Sequence, residues 1–173
     1  MSGTKRLFTI AILASALTAC SDTSEADQNQ AKADANASTS ASAPPSNEQP
    51  LALAAADASL QWGACPEGMP QGCGIAVLHG DPAKPNADIF LRIPGGSAIP
   101  PHAHTSAERM ILVSGEMEVK YQGAPATTLQ TGHYAYGPAK RPHLASCRSS
   151  EPCTLFIAFE GPVDVLPVSG GLN

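Results

Sequence analysis

From residue 75 onward the chain alternates short apolar runs with turn residues. The runs Ile75–His79, Asp88–Ile93, Glu108–Ser114, Glu116–Tyr121, Ala126–Leu129, Gly132–Gly137, His143–Cys147 and Cys153–Glu160 are each the length of a strand, and Val163–Val168 has the character of an edge strand. Gly80-Asp81-Pro82 and Pro94-Gly95-Gly96 stop the first two, and Ser114-Gly115 and Gln122-Gly123 bracket the fourth. No stretch in this part sustains a helical period over roughly 11 residues. Short strands at regular intervals predict an all-β sandwich or barrel. The Gly/Pro-rich stretch Leu60–Gly74 reads as a loop region with Trp62 packed on the outside, and Gly170–Asn173 should fray.

The N-terminal third has a different pattern. Lys5 and Arg6 precede an apolar run, Leu7–Leu17, of eleven residues, whereas a membrane-spanning helix needs about 20. A basic start and a short apolar core predict an export signal over residues 1–19. Its ending, Leu17-Thr18-Ala19-Cys20, resembles a bacterial lipobox, and the resemblance implies cleavage before Cys20 and a lipid on its sulfur. Ser21 stands where an aspartate would resemble an inner-membrane retention signal, which points to the periplasmic side of the outer membrane. Residues 20–59 are rich in Ala, Ser, Asp, Asn, Gln and Pro and lack the apolar surface needed to offset ordering entropy. They read as a flexible tether with a reach of roughly 35 Å, although leucine and alanine would also favour a short helix over Leu51–Ala58. Residues 60–173 then form one domain. Acidic and basic residues number six and one in the tether and nine and seven in the domain. No basic patch exists, so nucleic acid is an unsuitable partner, and membrane contact is expected through the lipid alone.

Beyond Cys20 the cysteines fall into close pairs, Cys65 with Cys73 and Cys147 with Cys153, in a chain read as exported to an oxidising compartment. Four cysteines allow three connectivities. Nearest-neighbour pairing is favoured, because residues 66–72 read as a loop and 147–153 as a hairpin turn. Each closure would contribute roughly 2 to 2.5 kcal/mol on the loop-entropy model.

The chemistry concentrates in GSAIPPHAHTSAERMILVSG, residues 96–115. His102 and His104 lie on one side of an extended segment, since side chains alternate with a period of two. Glu108 joins them if Thr105-Ser106-Ala107 bends tightly, and His143 follows a strand-like run 35 residues after Glu108. Three imidazoles and one carboxylate make a mixed nitrogen/oxygen site for a divalent first-row metal. Five residues between Gly96 and His102, one between the histidines, three before Glu108 and six before Gly115 resemble the first cupin motif at every fixed position. Gly132, Pro138 and His143 resemble the second motif, with Lys140 where the family usually has glycine and Cys147 where it usually has asparagine. Trp62, Leu78–Pro82 and Phe159–Pro162 are similar to a small bacterial cupin subgroup. The resemblance implies a double-stranded jelly-roll barrel around an interior site.

A metal held by four protein ligands in six-fold coordination leaves two positions open for water, dioxygen or an oxygen-chelating substrate. These ligands suit iron, manganese, nickel, copper, cobalt and zinc alike. Two functions follow: a dioxygenase-like enzyme acting on a small diketone, enol or phenol, or a non-catalytic binder of a small ligand or metal at the cell envelope. Catalysis needs a proton carrier beside the metal. Glu108 is one candidate, and His133, Tyr134, Tyr136 and Arg141 are others, with Tyr136 and Arg141 named alongside Glu108 as the catalytic set. His79, at a strand end, reads as structural. Met110 and Leu112 share the face of Glu108 and would wall the pocket. Exposed sheet edges also suggest a homodimer.

Overall fold

The computed structural model describes residues 49–172. The signal segment, Cys20 and the greater part of the tether lie outside them. Eleven strands build two antiparallel sheets: β1 (Trp62–Ala64), β2 (Gly74–His79), β3 (Ala87–Ile93), β4 (Ala98–Ala103), β5 (Glu108–Ser114), β6 (Glu116–Tyr121), β7 (Thr127–Gln130), β8 (Tyr134–Gly137), β9 (His143–Cys147), β10 (Cys153–Phe159) and β11 (Leu166–Pro167). One sheet has the order β1-β2-β3-β10-β5-β8 and the other β11-β4-β9-β6-β7. From β3 to β6 and again from β7 to β11 successive strands alternate between the sheets, as the expected jelly roll requires. Among the described residues there is no helix, so the short helix considered over Leu51–Ala58 does not form; turns occupy part of that stretch.

Period-two burial places the core between the sheets. On β5, Glu108, Met110 and Leu112 are buried while Arg109 and Ile111 are exposed. Ile89, Leu91 and Ile93 of β3, Met117 and Val119 of β6, and Leu155, Ile157 and Phe159 of β10 complete the interior. A second cluster covers the outer face of the six-stranded sheet, where Leu60, Ala76 and Phe90 are joined by Leu53, Ala55 and Trp62. The Arg92 guanidinium lies 3.7 Å from the centre of the Trp62 ring and donates to the Ala55 carbonyl, which holds residues near 55 against this face.

Two strands depart from the expected pattern. β1 is a three-residue strand inside the stretch read as loop. β4 contains Pro100 and Pro101, which cannot donate to a ladder and speak against a strand. The structure accommodates them in an irregularity: β4 pairs with β9 at Ala98↔Ser146 and Ile99↔Ala145, and resumes only at His102↔His143. Disulfides join Cys65 to Cys73 and Cys147 to Cys153, the nearest-neighbour pairing. The second is wholly buried at the barrel end.

Candidate metal centre

Strand register brings the expected ligands together. His102 on β4 faces His143 on β9, and His143 in turn faces Tyr121 on β6. His104 lies one residue beyond β4, and a bend at Thr105-Ser106 returns the chain into β5 at Glu108. In the other sheet Glu108 stands between Phe159 of β10 and Gly137 of β8. One ring nitrogen from each of His102, His104 and His143 lies within 4.8 Å of the others. All four side chains are buried, Glu108 to 2% exposure.

Each imidazole is held from behind by a backbone carbonyl. Nδ1 of His102 donates to Pro100 at 2.8 Å, Nδ1 of His104 to Asp164 at 2.5 Å, and Nδ1 of His143 to Arg141 at 3.1 Å. A carbonyl can only accept, so Nδ1 carries a proton, and in the neutral ring Nε2 keeps its lone pair. The Asp164 carboxylate accepts from the Thr105 amide at 3.0 Å and from its hydroxyl, which fixes the bend carrying His104. Glu108 reaches into the same space, with Oε2 at 3.4 Å from Nε2 of His104 and Oε1 at 3.4 Å from Nε2 of His143. Its Oε1 is buried without a hydrogen-bond partner. Three imidazole Nε2 atoms and the Glu108 carboxyl thus converge with no cationic side chain among them. A divalent cation is the chemical species that such a donor set fits.

Burial sets the electrostatics. It lowers His102 to about 4 and His143 to about 3, and holds His104 below the usual imidazole range. It raises the Glu108 carboxyl to about 8. The Tyr121 hydroxyl is pushed up by burial and by the Glu108 charge.

Two of the three expected catalytic groups are elsewhere, which corrects the expectation. Gly137 is buried opposite Glu108, so strand parity turns Tyr134 and Tyr136 outward, where they are 59% and 50% exposed. The Arg141 guanidinium donates to the Gln122 carbonyl outside the pocket, and the His133 ring accepts from the Gln130 amide within its own turn. The group that sequence reading missed is Tyr121. Its hydroxyl is buried without a partner, and its ring centre lies 4.9 Å from that of His143. The signal was there in Met117-x-Val119-x-Tyr121, which puts the tyrosine in phase with two core residues.

Gly137 makes room for this arrangement. A Cβ there would lie 2.6 Å from Glu108 Oε1 and 3.0 Å from the Tyr121 hydroxyl. Around the polar groups the wall is apolar: Met110, Met117, Leu129 and Ile157 line the same cavity; of the two walls expected, Met110 is there, while Leu112 is buried in the core instead.

Residues 89–159 match the family model Cupin_2, described as Cupin domain. No curated protein matches the chain. Among solved structures the chain is similar to the DMSP lyase DddQ from Ruegeria pomeroyi DSS-3, with 21% identity and a TM-score of 0.55 over 65% of this chain and 64% of that one. It is similar to the polyketide cyclase RemF from Streptomyces resistomycificus, with 18% identity and a TM-score of 0.54 over 65% and 82%. An oxalate oxidase gives 15% identity and a TM-score of 0.50 over 61% and 60%. The chain therefore spans less than two thirds of the lyase and oxidase chains, and at these identities the likeness is one of fold.

Proposed function

The chain carries a cupin domain over residues 89–159, and from that premise we propose that it is a metal-dependent enzyme of the oxygenase type, acting on a small oxygen-chelating substrate at the cell envelope. His102, His104, His143 and Glu108 would hold the metal. The observation that carries this reading is the Glu108 carboxylate, buried and without a hydrogen-bond donor between two imidazole Nε2 atoms. When bound, a redox-active divalent metal supplies a site where substrate oxygen and dioxygen meet, and a redox-inert one supplies Lewis acidity. The chain's own part is to fix the imidazoles, exclude water with an apolar wall and offer a proton carrier. Tyr121 takes that last role in place of Tyr136 and Arg141, its hydroxyl and Glu108 Oε1 flanking one point beside Gly137. This hydroxyl favours catalysis over passive binding, since a binder needs no proton carrier.

The surrounding features fit export. Two disulfides suit an oxidising compartment, and Cys20 would carry the lipid that keeps the domain on the periplasmic side of the outer membrane. A second copy would pair at the open edge strand β8, where Tyr134 and Tyr136 are exposed beside Ile111 of β5.

Elemental analysis of the full chain, purified without chelators, followed by oxygen uptake with diketones and phenols, tests the reading. One equivalent of iron, manganese, nickel or copper with oxygen consumption is the expected result. Zinc without uptake would refute the oxygenase assignment, and absence of metal after reconstitution would refute the metal centre.

A further inference from the structure

A second hollow adjoins the metal centre from outside. It is bounded by Gly68 and Met69 on one side and by Pro100, Pro101, Val165 and Pro167 on the other, with His102 at its floor. Its volume is about 140 Å³. Met69, His102 and Val165 border both this hollow and the space inside the barrel, so the two meet at these residues. Neither wall is loose. Met69 sits in the loop closed by the Cys65–Cys73 disulfide and packs on the core, and Pro167 pairs with His102 across β11 and β4.

We propose that this hollow is the substrate's apolar subsite, so that the ligand is a monoanionic oxygen donor carrying one short uncharged group, with Met69 limiting the length of that group. The inference rests on the metal reading above. Three imidazoles that donate through Nδ1 are neutral, so a divalent cation with Glu108 leaves two positive charges against one negative. A surplus charge in an apolar cavity is costly, and one anionic oxygen, from a carboxylate, enolate or phenolate, removes it. No residue around the hollow carries a charge, so a second anionic group there would be desolvated without compensation. The uncharged group then lies beside the three prolines, with the oxygen reaching past His102.

The test uses the full chain loaded with cobalt(II), whose visible absorption reports on ligands entering its coordination sphere. Straight-chain carboxylates from acetate to hexanoate are the probes, and succinate is the charged-tail control. Affinity should rise about fourfold per methylene over the first few carbons, while succinate binds no better than acetate. Met69→Ala should extend the gain to longer chains. Met69→Trp should abolish it, leaving hexanoate no tighter than acetate in the same variant, and Val165→Phe should do the same from the opposite wall if the tryptophan variant fails to fold. Equal affinity along the series in cobalt-loaded protein, or a gain that survives the bulky variants, would overturn the subsite alone. Failure to load cobalt would overturn the metal reading and the subsite with it.

Discussion

Burial sets Glu108 against its own charge: its carboxyl is held at about 8, from an ordinary value of 4.5, so it carries a proton at neutral pH in the metal-free protein. The histidines are already neutral there, being lowered by the same burial. Metal uptake at neutral pH should therefore release about one proton, from Glu108, and log affinity should climb by about one per pH unit until levelling near pH 8. Calorimetry in buffers of different ionisation enthalpy measures this, and no proton release would contradict it. The stability of the metal-free form has the matching sign. The contribution of Glu108 is fully present below 4.5 and lost as pH rises through about 8, while the histidines, lowered in the fold, favour it only as pH rises toward 6.5. Tyr121→Phe removes a buried hydroxyl that has no partner. It should leave stability within about 1 kcal/mol and metal content unchanged, and reduce turnover by roughly 100-fold; full turnover would remove Tyr121 from the chemistry. Gly137→Ala should lower metal affinity at least about tenfold and cost roughly 1 to 3 kcal/mol, because its Cβ would press on Glu108 Oε1. Unaltered metal affinity in that variant would show that the carboxylate is not a ligand. Of the candidate ligands, His102, His104 and Glu108 could be picked out from period-two alternation and a bend, which are local properties, whereas His143 rested on the resemblance to the second cupin motif. Tyr121 was not legible, because its relation to His143 exists only through the register of β6 on β9.

At the scale of elements, the turns told more than the runs. β5, β6 and β9 begin and end where the apolar pattern does, since turn residues bound β5 and β6 and Cys147 closes β9 at its disulfide. β4 escaped because two prolines disguise it, and Tyr136 misled because nearness to His143 in the chain says nothing about which face a side chain takes. The loop between β8 and β9 shows how a departure from the family pattern is absorbed. Lys140 replaces the usual glycine yet has φ of 59°, a left-handed conformation that disfavours a side chain by roughly 1 to 2 kcal/mol. It is kept because the Lys140 amide donates to the His104 carbonyl at 2.8 Å, which ties the second motif to the first. Lys140→Gly should raise stability by about 0.5 to 1 kcal/mol, the relief exceeding glycine's added chain entropy. Denaturant melts decide this, and a loss would mean that the lysine side chain contributes something its conformation does not reveal.

For the whole molecule, the division into exported leader, tether and domain was read from composition. Its N-terminal part lies outside the described residues. The anchor is tested in cells: Cys20→Ser should move the protein from the membrane pellet to a soluble fraction, and retention in the pellet would refute lipid attachment. The fold class was visible in spacing alone. The closure of the barrel was not, because the pairing of β10 between β3 and β5 joins segments distant in sequence.

The carbonyls behind the three imidazoles separate the history of the fold from the history of its ion. A small zinc domain gains its structure from the metal, but here backbone carbonyls also hold the rings through their Nδ1 atoms. The fold has supports that do not pass through the ion, namely the apolar core and two disulfides: loading should add charge, not architecture. A chelator should strip such a protein without melting it, and the ion carried in life is decided by what the compartment offers after folding is over.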